Sequence, residues 1–142
     1  MEVFEFALKM EKDGENFYRN LAREAGDNGV ARVLSMLAGA EVKHYEAIKA
    51  MADEKYEYNE QPVMAPARNI FQEMKESGEK LFDLKAKQLD AYRTAQELEK
   101  KSRDYYLLQA EQMKESPAGE IFTVLAKEEE KHYKLLDSLV DF

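Results

Sequence analysis

The sequence predicts an all-α fold, a four-helix bundle with one long crossover between its second and third helices. Three observations carry this. Apolar residues recur at steps of three, four and seven through four long segments, the period of a helix with one buried face. No segment alternates with period two for long enough to argue a strand. Two of the three prolines fall together in the middle of the chain, where they forbid a long helix.

The elements follow in order. From Val3 to Ala25 the apolar face is Val3, Phe6, Ala7, Met10, Phe17, Tyr18, Leu21 and Ala22. Gly26-Asp27-Asn28-Gly29 stops that helix and offers Asp27 or Asn28 as a cap for the next. The second helix carries Val30, Val33, Leu34, Leu37, Ala38, Val42, Tyr45, Ile48 and Met51, and is expected to reach about Tyr56. Tyr56 to Ala67, with Pro62 and Pro66, reads as a crossover. A short helix is expected from Arg68 to about Lys75, and Glu76 to Gln88 is ambiguous. Leu89 to about Lys114 forms the third long helix. Ser116-Pro117 starts the fourth, with Ser as cap and Pro at the first helical position, and it runs to about Val140. Two hairpins, about 1–56 and 88–142, thus make one domain over residues 1–142, with long helices of roughly 38 Å each.

At 142 residues the chain can bury one sizeable core. Its 44% apolar and 35% charged residues are those of an ordinary globular protein. The absence of cysteine excludes disulfides, thiolate metal sites and cysteine nucleophiles. A formal net charge of −8 argues against nucleic acid or an anionic membrane as partner. The longest uncharged run, Val33 to Ala40, is far shorter than the roughly 20 residues that span a bilayer. Glu2, Glu5 and Lys9 break up the start, so no signal peptide is expected, and a cytoplasmic protein is the default.

The chemistry is carried by an internal repeat. Met10-Glu11-Lys12 through Phe17-Tyr18 matches Leu98-Glu99-Lys100 through Tyr105-Tyr106, 88 residues on. The same shift lays Glu41, Lys43, His44 and Tyr45 on Glu129, Lys131, His132 and Tyr133. Each hairpin therefore bears a Glu and, thirty residues later, Glu-x-x-His, and these are the only 2 histidines. On this composition the four glutamates would fall so by chance in roughly 1 case in 2000.

Residues i and i+3 of a helix project the same way from neighbouring turns. Glu41 with His44 can therefore grip one metal ion, and Glu129 with His132 a second. Glu11 and Glu99, on the other two long helices, complete four carboxylates and two imidazoles, the pattern of di-iron and di-manganese carboxylate bundles. Four negative charges balance two divalent cations. Such oxygen-rich ligands with one imidazole per ion suit iron or manganese, and zinc is compatible by ligand type.

The order Glu11-x6-Tyr18, Glu41-Val42-Lys43-His44, Glu99-x6-Tyr106, Glu129-Glu130-Lys131-His132 resembles the ferritin-like di-iron family, and within it the rubrerythrin branch, over nearly the whole chain. The resemblance implies two iron ions per chain. Glu11 and Glu99 would be terminal ligands, Glu41 and Glu129 bridging carboxylates central to catalysis, and His44 and His132 would give one imidazole to each iron. It also implies a homodimer.

Rubrerythrins proper add a rubredoxin-like domain with four cysteines, which these residues lack, so a separate electron donor is expected, such as a rubredoxin-like protein or a reductase. They also carry an extra glutamate on the third helix. Gln96 and Ser102, the candidates here, are uncharged, so the glutamate on which a rubrerythrin-type shift of an iron between ligands, and the efficient peroxidase activity that follows from it, would rest is not among them.

Tyr18 and Tyr106 lie two turns beyond Glu11 and Glu99, placed to donate a hydrogen bond to a ligand carboxylate or to pack as core aromatics. Tyr45 and Tyr133 are expected to pack, and the methionines to fill the core. Glu15, Glu97, Glu128 and Glu130 have no glutamate across the repeat and read as solvated surface charges. The expected function is a non-haem di-iron oxidoreductase that reduces peroxide or dioxygen. Two alternatives stand beside it: an iron-binding, ferroxidase or storage protein, and a structural bundle with a relict or zinc-occupied site.

Overall fold

A computed structural model describes residues 2–26, 29–77 and 86–141. Five helices occupy them: α1 (Glu2–Ala25), α2 (Gly29–Ala52), α3 (Met64–Ser77), α4 (Ala86–Gln112) and α5 (Pro117–Asp141). The fold is all-α, and no strand occurs among the described residues. Among them, too, no helix is long and apolar enough to cross a membrane.

The most extensive packing is of α1 on α2 and of α4 on α5, the two hairpins of the repeat. Contacts fix the directions. Along α1, Val3, Met10 and Tyr18 meet Tyr105, Ser102 and Glu99 of α4, so these helices run antiparallel. His44 of α2 meets Glu128 of α5, and Glu41 meets His132, which makes that pair antiparallel as well. Helices α2 and α4 are consequently parallel, and the chain must travel back along the bundle, about 36 Å for the 24 residues of α2. The crossover and α3, which packs on α2 and α5, make that return.

Several helix ends differ from expectation. Helix α2 stops at Ala52 rather than near Tyr56. There Glu54 turns left-handed (φ 61°), while Lys55 N–H donates to Ala50 O (2.8 Å) and Glu54 N–H to Met51 O (2.9 Å). These two bonds form a Schellman cap, made here without glycine. Helix α3 starts at Met64, not Arg68, and so takes in Pro66. A proline is tolerated in a first turn, where its missing N–H would have no helical partner; Ala67 N–H bonds Val63 O at 3.0 Å. Helix α4 is shifted a few residues toward the N-terminus. Helix α5 begins at Pro117 as expected, and Ser116 Oγ accepts from Ala118 N–H at 3.2 Å. The suggested caps Asp27 and Asn28, and residues 78–85 of the ambiguous stretch, lie outside the described residues.

The interior is layered. One apolar cluster gathers Tyr18, Leu21, Leu34, Leu37, Tyr92 and Leu135 with Ala67, Ile70 and Met74 of α3. A second gathers Ala7, Ile48, Met51, Tyr106, Phe122 and Leu125. Each long helix passes from one cluster to the other, and between them it contributes buried charged or polar residues: Glu11, Glu41 with His44, Glu99, and Glu128, Glu129 with His132.

Candidate metal centre

All six residues marked by the repeat lie in that polar layer, each at most 3% exposed. They form two groups. Glu11, Glu41, His44 and Glu129 offer ligand atoms within 4.8 Å of one another, and so do Glu41, Glu99, Glu129 and His132. Glu41 and Glu129 belong to both groups, while each of the other four belongs to one. The i,i+3 spacing on α2 and α5 sets the carboxylate and imidazole of each helix on the same face.

Both histidines turn Nδ1 toward the carboxylates. His44 Nδ1 lies 3.1 and 3.2 Å from the two Glu11 oxygens and 2.8 Å from Glu129 Oε1. His132 Nδ1 lies 3.3 Å from Glu41 Oε1 and 3.6 Å from Glu99 Oε2. The two rings are nearly coplanar in orientation, 5° apart, with centroids at 5.8 Å.

Electrostatically the layer is under strain. Burial, then the negative charge of Glu41, pushes Glu11 and Glu129 well above the usual carboxylate range, and burial raises Glu41. Burial also acts to raise Glu99, but the Glu129 carboxyl, the His132 charge and the Tyr18 hydroxyl together draw it down to about 2. Burial disfavours the charged imidazoles, yet the surrounding carboxylates override it. His132 rises to about 9 beside Glu99 and Glu41, and His44 well above its ordinary value beside Glu128 and Glu129. Without cations, protons must offset this concentration of negative charge.

The residues fit a metal site. Glu41 Oε1, Glu99 Oε2, both Glu129 oxygens and both His132 nitrogens are buried and, despite these close approaches, make no well-directed hydrogen bond among the described residues. Buried polar atoms are ordinarily satisfied. Here the orphans converge on one place, are oxygen-rich, and include ring nitrogens, the donor types of a divalent transition metal.

Tyr18 and Tyr106 are both buried. The Tyr18 hydroxyl donates to Glu99 Oε1. Its repeat mate Tyr106 lies beside Glu11, and burial followed by that negative charge raises its phenol. Gln96 points out of the site, its Nε2 donating to Asp137 Oδ1 (3.1 Å) on α5, and Ser102 Oγ donates to Met10 Sδ at 4.0 Å. Glu97 is exposed, and Glu130 is half-buried in an ion pair with Arg103 at 2.5 Å. Glu15 pairs with Arg19 and Lys12.

Glu128 corrects its assignment as a surface charge: it is 2% exposed. Its Oε1 accepts from Tyr58 Oη (3.0 Å) and Gln61 N–H (3.1 Å) of the crossover, and lies 3.3 Å from His44 Nε2. Burial acts to raise its carboxyl, but His44, Tyr58 and the Gln61 amide hold it below the usual range. The repeat could not show it, because its counterpart is Ala40. The available signal was its spacing, four residues before His132 and so on the same helix face.

No curated protein and no solved structure matches the chain. The family model for Rubrerythrin matches residues 2–140, and it does so on a helical bundle whose polar layer gathers four glutamates and two histidines from its four long helices. With that match covering nearly its whole length, the chain belongs to the rubrerythrin family of ferritin-like di-iron proteins.

Proposed function

We propose that this chain is a non-haem di-iron oxidoreductase that reduces peroxide or dioxygen with electrons from an external donor. The observation that supports it most is the sharing of Glu41 and Glu129 between two otherwise separate ligand groups. Shared carboxylates are what would hold two cations side by side, with Glu11 and His44 completing one position and Glu99 and His132 the other. Two ferrous ions there would supply two electrons together to an O–O bond and act as Lewis acids on it.

The chain's own residues prepare that chemistry. Burial and crowding raise Glu11 and Glu129, and cations entering the layer would displace whatever protons they hold. Tyr18 Oη fixes the orientation of Glu99. His44, with Nδ1 turned inward, presents Nε2 to Glu128, and a carboxylate behind a ligand imidazole fixes its ring and its tautomer. The electrons come from a rubredoxin-like protein or a reductase, because these residues include no cysteine to hold a thiolate-bound redox centre.

The test is metal analysis of protein purified without a chelating tag, followed by anaerobic Fe(II) loading and exposure to H2O2 or O2. About two irons per chain, oxidised faster by peroxide and turned over when a reductant is supplied, is the expected result. Oxidation mainly by O2 with release of ferric iron would replace this reading with a ferroxidase. Zinc that iron cannot displace would remove the redox function.

A further inference from the structure

Helices α1 and α4 meet less closely than the helices within each hairpin, and a cavity of about 280 Å³ lies between them. Its lining includes Glu41, Glu99 and Tyr18, all buried, which form its inner end. Its walls are mainly apolar, among them Met10, Phe17 and Ala95, and Phe6 and Leu98, 52% and 38% exposed, flank the mouth.

Two small residues keep the space open. They are Gly14 and Ser102, which occupy equivalent positions in the repeat. A Cβ at Gly14 would stand 3.1 Å from Glu41 Oε2 and crowd that carboxylate from the cavity side.

We propose that this cavity is the substrate site and that it selects an uncharged organic hydroperoxide with a compact apolar group, of tert-butyl to cumyl size. The inference rests on the peroxide-reducing reading and names its substrate class. Size sets the upper limit, since the space is about twice the ~150 Å³ that accepts a benzene ring and near the small end of ligand pockets. Charge sets the class. Among the described residues Lys101 is the only cation lining it, and it is exposed, whereas the inner end is carboxylate. A fatty carboxylate would find no counter-charge within, whereas a neutral ROOH can place its O–O group against Glu41 and leave R on the apolar wall. The reaction is ROOH + 2 H⁺ + 2 e⁻ → ROH + H2O. The O–O bond breaks, the external donor supplies both electrons through the metal pair, and solvent supplies the protons.

Binding is tested without redox chemistry. Zinc-loaded protein is titrated with 2-phenyl-2-propanol, the alcohol product of cumene hydroperoxide, while the methionine methyl signals are followed by NMR. Saturable shifts of the Met10 methyl with Kd on the order of millimolar or below are expected for a ligand of this size. Ser102→Leu, which fills the cavity, weakens binding roughly tenfold or more, and Phe17→Ala, which enlarges it, admits a larger alcohol. Iron-loaded Ser102→Leu loses kcat/KM for cumene hydroperoxide roughly tenfold relative to that for H2O2. No shift at Met10, or equal binding by Ser102→Leu, overturns the cavity assignment even if peroxide is reduced. Binding that depends on Ser102 but with no peroxide reduction by the iron-loaded protein overturns the oxidoreductase reading, and the hydroperoxide with it.

Discussion

Glu128 and His44 make the two halves of a near-symmetric site unequal. His44 Nε2 has a buried carboxylate 3.3 Å away, whereas His132 Nε2 has no hydrogen-bond partner among the described residues. Losing such a support typically costs 10–100-fold in metal affinity. Glu128→Ala is therefore expected to weaken one of two binding steps by about that factor and leave the other in place. In the same titration with Co(II) or Mn(II), Glu129→Ala loses both steps, because Glu129 belongs to both ligand groups, and exposed Glu97→Ala keeps both. Equal weakening of both steps by Glu128→Ala would show that the halves are not distinguished this way. The six repeated residues were legible because duplication writes each of them twice. Glu128 was not, because it has no twin, and its partners Tyr58 and Gln61 belong to a crossover with no periodicity to read.

At the scale of elements, what the sequence shows depends on how locally a helix end is determined. Ser116-Pro117 is a local signal, and α5 starts there. The end of α2 has no such signal: Glu54 adopts the left-handed conformation that glycine usually takes, because two backbone bonds close the cap. The start of α3 is hidden for the opposite reason, since Pro66 reads as a breaker but sits where a first turn accepts it. Gly119 is also silent in the sequence. A Cβ there would overlap Met113 O and stand 2.9 Å from its carbonyl carbon, and backbone cannot yield as a side-chain tip can. Gly119→Ala should lower stability by about 1–3 kcal/mol, the range for overpacking. Thermal melting of metal-free protein checks this, and an unchanged or raised Tm, as helix propensity alone would give, would mean that the α4–α5 turn adjusts freely.

Over the whole molecule, the cost of the polar layer is borne by the fold and offset by protons or cations. In the metal-free chain Glu11, Glu41, Glu129, His44 and His132 all have raised pKa values, so the folded state holds more protons than the unfolded one. Stability then falls as pH rises. For His132 the contribution is complete below its unfolded value of about 6.5 and is lost as pH passes the folded value of about 9. Glu99, held near 2, and Glu128, also lowered, act in the opposite sense, but only where carboxylates titrate in the unfolded chain, near pH 4.5 and below. From pH 6.5 to 9 the raised groups therefore decide the slope. The metal-free protein should lose a few kcal/mol across that window, on the order of 10 °C in Tm. Metal reverses the dependence, since cations displace the same protons and bind more tightly as pH rises, so the metal-loaded protein should hold or gain Tm over the same range. Melting curves of the two forms at pH 6.5, 8 and 9 decide it. A metal-free Tm that rises with pH would mean that the carboxylates of the layer are already ionised, and that water or a rearranged core, rather than protons, separates their charges.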